Sequence, residues 1–223
     1  MREAAPGNSQ DLADRRPVIV ALGGSTRAFS TSEAALRIAA DGASAAGADV
    51  EVLGGSDLML PIYDPDASMR VPQAEHLLDL VRRADGLIVV SPGYHGGLSG
   101  LVKNALDYLE ELRDEPDTGG SAGSPGHGRG PYLHGRAVGC IAVAHGWQAA
   151  VGTLHQLRQV VHALRGWPTP FGAVVNSSEV RLDDPAASSL SGSAAVEQLH
   201  LVGQQVAEFA YMRQAYLREE GRL

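Results

Sequence analysis

Residues 84–112 read ADGLIVVSPGYHGGLSGLVKNALDYLEEL, and the fold follows from how this stretch divides. Gly86-Leu87-Ile88-Val89-Val90 is a short, nearly unbroken apolar run. Such a run suits a strand covered on both faces, as in a parallel sheet flanked by helices. Ser91-Pro92-Gly93-Tyr94-His95-Gly96-Gly97 then reads as a turn, with three glycines and one proline in seven residues. An amphipathic helix follows from about Ser99 to Leu112, with Leu101, Leu106 and Leu109 marking its buried side. In open parallel sheets, ligands bind in the crevice beyond the carboxyl ends of the strands. The Ser91–Gly97 turn is therefore placed at a binding crevice, where its glycines let the backbone approach a flat ligand.

Toward the N-terminus, Pro17–Gly23 (PVIVALG) is a second continuous apolar run and the expected first strand. It ends in Gly24-Ser25-Thr26-Arg27-Ala28-Phe29-Ser30-Thr31-Ser32, ahead of an alanine-rich helix from Glu33 to about Gly47. A helix N-terminus carries unsatisfied N–H groups and partial positive charge, so it favours an anion. Ser25, Thr26 and Ser30–Ser32 add hydroxyl groups, and Arg27 can pair with a phosphate in bidentate fashion. Capping the helix would use one of these hydroxyls, not five with an arginine. The chain contains no Gly-Lys-Ser/Thr, and this loop is not G-x-G-x-x-G, which disfavours a nucleotide P-loop and a dinucleotide fingerprint. A single terminal phosphate is the expected anion.

The remaining pattern repeats strand and helix. Ala48–Leu53 alternates and suits an edge or near-edge strand, and Asp57–Pro65 reads as an irregular connection packed on the sheet. Pro72–Ala84 is expected as a helix with Leu77, Leu78, Leu80 and Val81 inward. Arg136–Val143 is the fourth strand, with Cys140 as a small core residue; it opens into His145-Gly146-Trp147 and a helix to about Arg165. Thr169–Val175 is the fifth strand, Asn176–Gly192 a polar loop, and the last helix runs from about Ala194 to Glu219. The fold class is therefore α/β, a three-layer sandwich on a five-stranded parallel sheet in the order 2-1-3-4-5. Residues 17–220 form the one domain. Residues 1–16 read as a flexible tail, and 114–131, rich in Gly and Pro, as a surface insertion at the end of the sheet away from the ligand loops.

Composition narrows the function. A net charge of −8 speaks against general nucleic-acid affinity. No apolar run approaches the roughly 20 residues that span a bilayer, and the N-terminus has no apolar secretion-signal region. One cysteine excludes an intrachain disulfide and a four-cysteine metal or iron–sulfur site. A cytoplasmic location without nucleic-acid or membrane partners is expected. His155 and His162 lie seven apart without a metal-protease motif, Ser99 reads as a helix N-cap, and Lys103 and Asp107 as an i,i+4 pair. Tyr63 and Asp64 lie in a connection that follows strand two and are candidates to approach the crevice.

Three loops thus gather at one end of the sheet, and their residues resemble the NADPH-dependent FMN reductase family of flavodoxin-like proteins. The resemblance covers roughly Val18 to Val175. Gly24-Ser25-Thr26-Arg27 with Ser30 is similar to the family's G-S-x-R-x-x-S loop. Ser91-Pro92-Gly93-Tyr94-His95-Gly96-Gly97-Leu98-Ser99-Gly100 is similar to S-P-E-Y-[NH]-G-S-x-[ST]-G, and Lys103-Asn104 with Asp107 to the following K-N-x-x-D. The resemblance implies bound FMN. Ser25, Thr26, Arg27 and Ser30 would lie about its phosphate, Pro92, Gly93, Tyr94, His95 and Gly96 along the isoalloxazine, and His145, Gly146 and Trp147 on the pyrimidine side. The chain departs at Gly93, where the family commonly has Glu, and in the fourth-strand loop, which lacks the usual Ser and Gly-Gly run. Those departures bear on the substrate, since backbone groups do most of the flavin binding.

The implied activity is hydride transfer from NADPH or NADH through FMN to a small-molecule acceptor such as a flavin, quinone or azo compound, with no protein nucleophile. His95 is a candidate proton donor or only a source of a backbone amide. Two other readings stand beside it: an FMN-dependent dehydrogenase that aromatises a biosynthetic intermediate, and a flavodoxin-like electron carrier. The family resemblance further implies a homodimer or homotetramer.

Overall fold

The computed structural model describes residues 15–27, 29–115, 130–182 and 190–220. The expected tail (through residue 14) and most of the expected insertion (116–129) lie outside the described residues. Strand β1 (Val18–Gly23) leads through the hydroxyl-rich loop into helix α1 (Thr31–Ala45), then β2 (Asp49–Leu53), α2 (Pro72–Arg83) and β3 (Gly86–Tyr94). β4 (Gly97–Leu98), α3 (Gly100–Asp107), a 3₁₀ turn (Tyr108–Leu112), β5 (Ala137–Ala144) and α4 (Trp147–Ala163) follow. β6 (Trp167–Pro168), β7 (Ala173–Asn176) and α5 (Leu190–Glu219) complete the chain. Among the described residues, no helix is long and apolar enough to cross a membrane.

The parallel sheet runs β2-β1-β3-β5, with β6 and β7 sharing the position beyond β5. This is the expected order, and the three-layer flavodoxin-like architecture with it. Seven strands replace the expected five for two local reasons. Pro168 and Pro170 lack the N–H that a ladder needs, so the last strand breaks at Thr169–Gly172. There Thr169 Oγ1 donates to the Phe171 carbonyl at 2.8 Å, and the Phe171 N–H to Gln205 Oε1 at 3.1 Å. The second reason lies in the Ser91–Gly97 segment, expected as one turn. Ser91 and Pro92 stay extended beside Ala142 and Val143 of β5, and Gly93 and Tyr94 pair antiparallel with Leu98 and Gly97. Only His95 (φ +53°) and Gly96 (φ +81°) turn, a two-residue loop with both residues left-handed, as hairpin twist favours.

Alternation along the sheet divides the core. Val20, Leu22, Leu87, Val89, Val138 and Cys140 face α2, α3 and α4, whereas Ile19, Ala21, Ile88, Val90, Ile141 and Val143 face α1 and α5. α1 and α5 meet closely at Gly42 and Gly203. A Cβ at Gly203 would lie 1.9 Å from the Ala39 carbonyl oxygen, so only glycine permits this crossing.

Ser99 caps α3 as expected, its Oγ accepting from the Val102 N–H at 3.2 Å, and Lys103 pairs with Asp107 at 2.6 Å. The connection between β2 and α2 is irregular and held by polar groups. Tyr63 N–H donates to Asn104 Oδ1 and Asn104 Nδ2 to the Pro61 carbonyl, each at 2.8 Å. Tyr63 also donates to Glu111 and packs edge-on against Tyr108, so it faces α3 and the 3₁₀ turn and not the crevice. The hydrogen-bonded Arg70 guanidinium holds the Glu111 carboxyl below the usual carboxylate range. Tyr132 N–H donates to the Leu112 carbonyl at 2.9 Å, which draws together the two ends of the 113–131 segment.

Candidate functional site

A cleft of about 1250 Å³ opens at the carboxyl ends of β1, β3, β5 and β7. The loop after β1 forms one wall. The Ser25 hydroxyl accepts from the Arg27 N–H at 3.2 Å and lies 3.4 Å from the Tyr94 hydroxyl, joining this loop to the end of β3. Ser30 caps α1, its Oγ accepting from the Glu33 N–H at 3.2 Å, and it lies 3.2 Å from the Ser32 hydroxyl. Phe29 is 88% exposed and held at φ +53° on the cleft wall. A non-glycine residue in that conformation is sparsely populated and is found enriched at functional sites.

The second wall is the end of β3 with its hairpin. Ser91 Oγ donates to the Pro92 carbonyl at 3.0 Å and accepts from the Ser99 N–H at 3.1 Å, which fixes the strand end from behind. Gln156 Oε1 accepts from the Leu98 N–H at 3.3 Å and ties the hairpin to α4. Gly93 backs directly onto α4: a Cβ there would stand 2.6 Å from Thr153 Oγ1 and 3.0 Å from the Ala144 Cβ. Thr153 is fully buried and its hydroxyl makes no hydrogen bond among the described residues.

The third wall is the start of α4, whose N-cap is Gly146 (φ +132°) and carries no side-chain cap. The fourth is the turn after β7, tied to β5 by the Ser177 N–H on the Ala144 carbonyl at 2.9 Å. Asn176 Oδ1 accepts from the Ser178 hydroxyl at 2.7 Å, and Asn176 Nδ2 donates to Glu179 at 2.6 Å. Beyond this braced turn, Arg181 reaches the cleft lining.

The structure brings Ser25, Arg27, Ser30, Pro92, Gly93, Tyr94, His95, Gly96, His145 and Gly146 to this one cleft. Thr26 and Trp147 are not among the residues that line it. Trp147 opens α4 and its Nε1–H donates to Glu179 at 2.9 Å, leaving Gln148, Ala149 and Gly152 on the cleft side of the helix. Those three, with Phe29, Ser177 and Arg181, were not singled out from the sequence. The register of α4 after Gly146 is the signal for the first three, the place of Phe29 within the hydroxyl-rich loop after β1 is its signal, and the position of 177–181 just past the last strand is the signal for Ser177 and Arg181.

Among the described residues lining the cleft there are two arginines and two histidines but no Asp or Glu, in a chain of net charge −8. Local charge thus opposes global charge, an arrangement that draws anions into a cleft. Among the described residues, no group of three or more His, Cys, Asp or Glu is placed to hold a metal ion. The arrangement supplies a helix N-terminus with hydroxyls and a guanidinium for a phosphate, and a backbone shelf for a flat ring.

Residues 17–180 match the model of a family described as NADPH-dependent FMN reductase. An NADPH azoreductase of Bacillus sp. is 27% identical over 123 residues, 55% of this chain and 58% of that protein. A quinone reductase of Escherichia coli is 36% identical over 63 residues, 27% of this chain and 34% of that protein. The chain therefore spans from about a third to somewhat over half the length of these relatives. Among solved structures, a flavodoxin, WrbA-like protein from Agrobacterium tumefaciens superposes with a TM-score of 0.56 at 16% identity, over 88% of this chain and 99% of that one. A likeness at that identity establishes the shared fold.

Proposed function

Because this chain belongs to the NADPH-dependent FMN reductase family, we propose that it is an FMN-dependent NAD(P)H oxidoreductase acting on a quinone, azo or flavin acceptor. The observation that carries the proposal is the meeting of the Ser25–Ser30 loop and the Pro92–Gly96 shelf in one carboxylate-free cleft. Relatives named as azo and quinone reductases support the acceptor class. The residues fit FMN. Arg27, the Ser25 and Ser30 hydroxyls and the first N–H groups of α1 would hold its phosphate, and the Gly93–Gly96 backbone would border its ring. The volume of about 1250 Å³ exceeds the roughly 300–1,000 Å³ common for one small ligand, leaving space for a second reactant.

FMN, when bound, supplies the hydride chemistry. The chain's own contribution is placement. The Ser91 hydroxyl, bonded on both sides, holds the Pro92 carbonyl and the start of α3 in fixed relation. The Tyr94–Ser25 contact keeps ring shelf and phosphate loop in register. The absence of carboxylates from the described lining avoids repelling a phosphorylated donor. His95, held at the tip of the hairpin, is the candidate to deliver a proton to a reduced acceptor. Cytoplasmic residence and assembly as a homodimer or homotetramer belong to the same proposal.

The test is a visible spectrum of the purified protein incubated with FMN, then anaerobic titration with NADPH and NADH and turnover with menadione and an azo dye. A yellow protein that is bleached by a nicotinamide donor and re-oxidised by the acceptors is expected. A protein that stays colourless in excess FMN refutes the assignment. A yellow protein inert to both donors turns the reading to the dehydrogenase or electron-carrier alternatives.

A further inference from the structure

The cleft holds a second guanidinium that the phosphate loop does not need. Arg27 enters from the loop after β1 and Arg181 from the turn after β7. Those strands stand three positions apart across β3 and β5, roughly 14 Å at ~4.8 Å per strand. One phosphate at the start of α1 calls for the first arginine. Resting on the FMN reading, we propose that Arg181, with Ser177, forms a second anion subsite that takes the acidic group of a reactant entering the cleft.

Three observations support it. The turn carrying Arg181 is braced by Ser177, Ser178 and Asn176 and rooted by buried Val180, so the side chain leaves from a fixed point. No Asp or Glu stands among the described residues that line the cleft, so the lining does not repel an anion there. Arg181 also interacts within the chain, and its guanidinium presents five N–H donors in a planar fork suited to an acid group.

The anion can come from two sources, a phosphate of the nicotinamide dinucleotide or an acid group on the acceptor. Both are tested by direct binding to the FMN-loaded protein, comparing wild type, Arg181→Gln and Arg181→Lys. The probes are NADP⁺, NAD⁺, anthraquinone-2-sulfonate and uncharged menadione, titrated calorimetrically at low and at physiological salt.

Loss of one charge-assisted contact is expected to raise Kd about 10- to 100-fold for the ligand concerned, with the difference shrinking at higher salt. A rise for NADP⁺ but not NAD⁺ assigns the subsite to the 2′-phosphate. A similar rise for both assigns it to the pyrophosphate. A rise for the sulfonate alone, relative to menadione, assigns it to the acceptor. Arg181→Lys keeps the charge and should recover most of the affinity. Unchanged Kd for all four probes in an Arg181→Gln protein that melts like wild type overturns the proposal. So does an Arg181→Lys protein, melting like wild type, as weak as Arg181→Gln. If Arg181→Gln melts well below wild type, the Lys variant and the salt dependence of wild-type binding decide, and salt-insensitive binding overturns it. A chain that takes up no FMN refutes the functional reading, whereas a yellow chain with Arg181-independent affinities refutes only the subsite.

Discussion

Replacing Gly93 by alanine should cost stability although it puts alanine into a strand. The added Cβ would stand 2.6 Å from Thr153 Oγ1, 3.0 Å from the Ala144 Cβ and 3.4 Å from the Ala149 carbonyl oxygen. Ordinary carbon contacts begin near ~3.5 Å, so the first two must yield by about half an ångström or more. Neither neighbour is the end of a long, flexible chain. Overpacking of this kind costs about 1–3 kcal/mol. Removing a glycine's unfolded-state freedom returns ~0.4–1 kcal/mol, leaving a net loss of about 1–2 kcal/mol. Urea unfolding at constant m-value measures it directly. The cause is isolated by Thr153→Ala, which removes the closest atom. That hydroxyl is buried without a partner, so the single change forfeits little hydrogen bonding. In the double variant, the Gly93→Ala penalty should fall by about 1 kcal/mol. Additive penalties, equal within the ~0.5 kcal/mol expected of independent sites, or a neutral Gly93→Ala, refute the packing argument. Gly93→Glu, the residue common in the family, should be worse still unless Thr153 is shortened with it.

Arg27→Ala should weaken FMN retention by about 1.5–3 kcal/mol, ~10- to 150-fold in Kd, as read by quenching of flavin fluorescence; unchanged affinity refutes its phosphate role. Glu111 is held below its ordinary range chiefly by the Arg70 hydrogen bond, so its contribution is complete above the unfolded carboxyl value and is lost as pH falls through the folded one. The stability gap between wild type and Glu111→Gln should therefore close between pH 5 and pH 3 (roughly the carboxylate range), and a pH-independent gap argues against the pairing. Burial pushes the Cys140 thiol up to about 12. It should resist a thiol-specific disulfide reagent at pH 8 until the protein is unfolded, and rapid labelling of the folded chain contradicts its placement.

The strands along the middle of the sheet were legible because buried parallel strands are apolar without interruption, as in Val18–Leu22 and Gly86–Val90. The loop after β1 was legible as part of the cleft because hydroxyls, arginine and a helix start are contiguous in sequence. The reach of β3 to Tyr94 was not, since Ser91, Pro92 and Gly93 have the composition of a turn. What keeps them extended is a neighbour, β5, and a hairpin partner, β4, both remote from that composition. Trp147 was placed on the pyrimidine side by the family resemblance, together with His145 and Gly146, yet a single helical step of about 100° separates it from the cleft-lining Gln148, and its indole N–H donates to Glu179 instead. Arg181 sits in a polar stretch with no motif; only the position of β7 beside β5 makes it a cleft residue.

The Leu112–Tyr132 hydrogen bond makes the nineteen-residue stretch between them a closed parenthesis in the chain. Its endpoints are clamped by the folded body at the end of the sheet away from the cleft, where the Tyr132 N–H meets the Leu112 carbonyl and the Leu133 N–H the Leu164 carbonyl. A purification tag or a fluorescent reporter spliced there would load the molecule at the pole opposite its cleft.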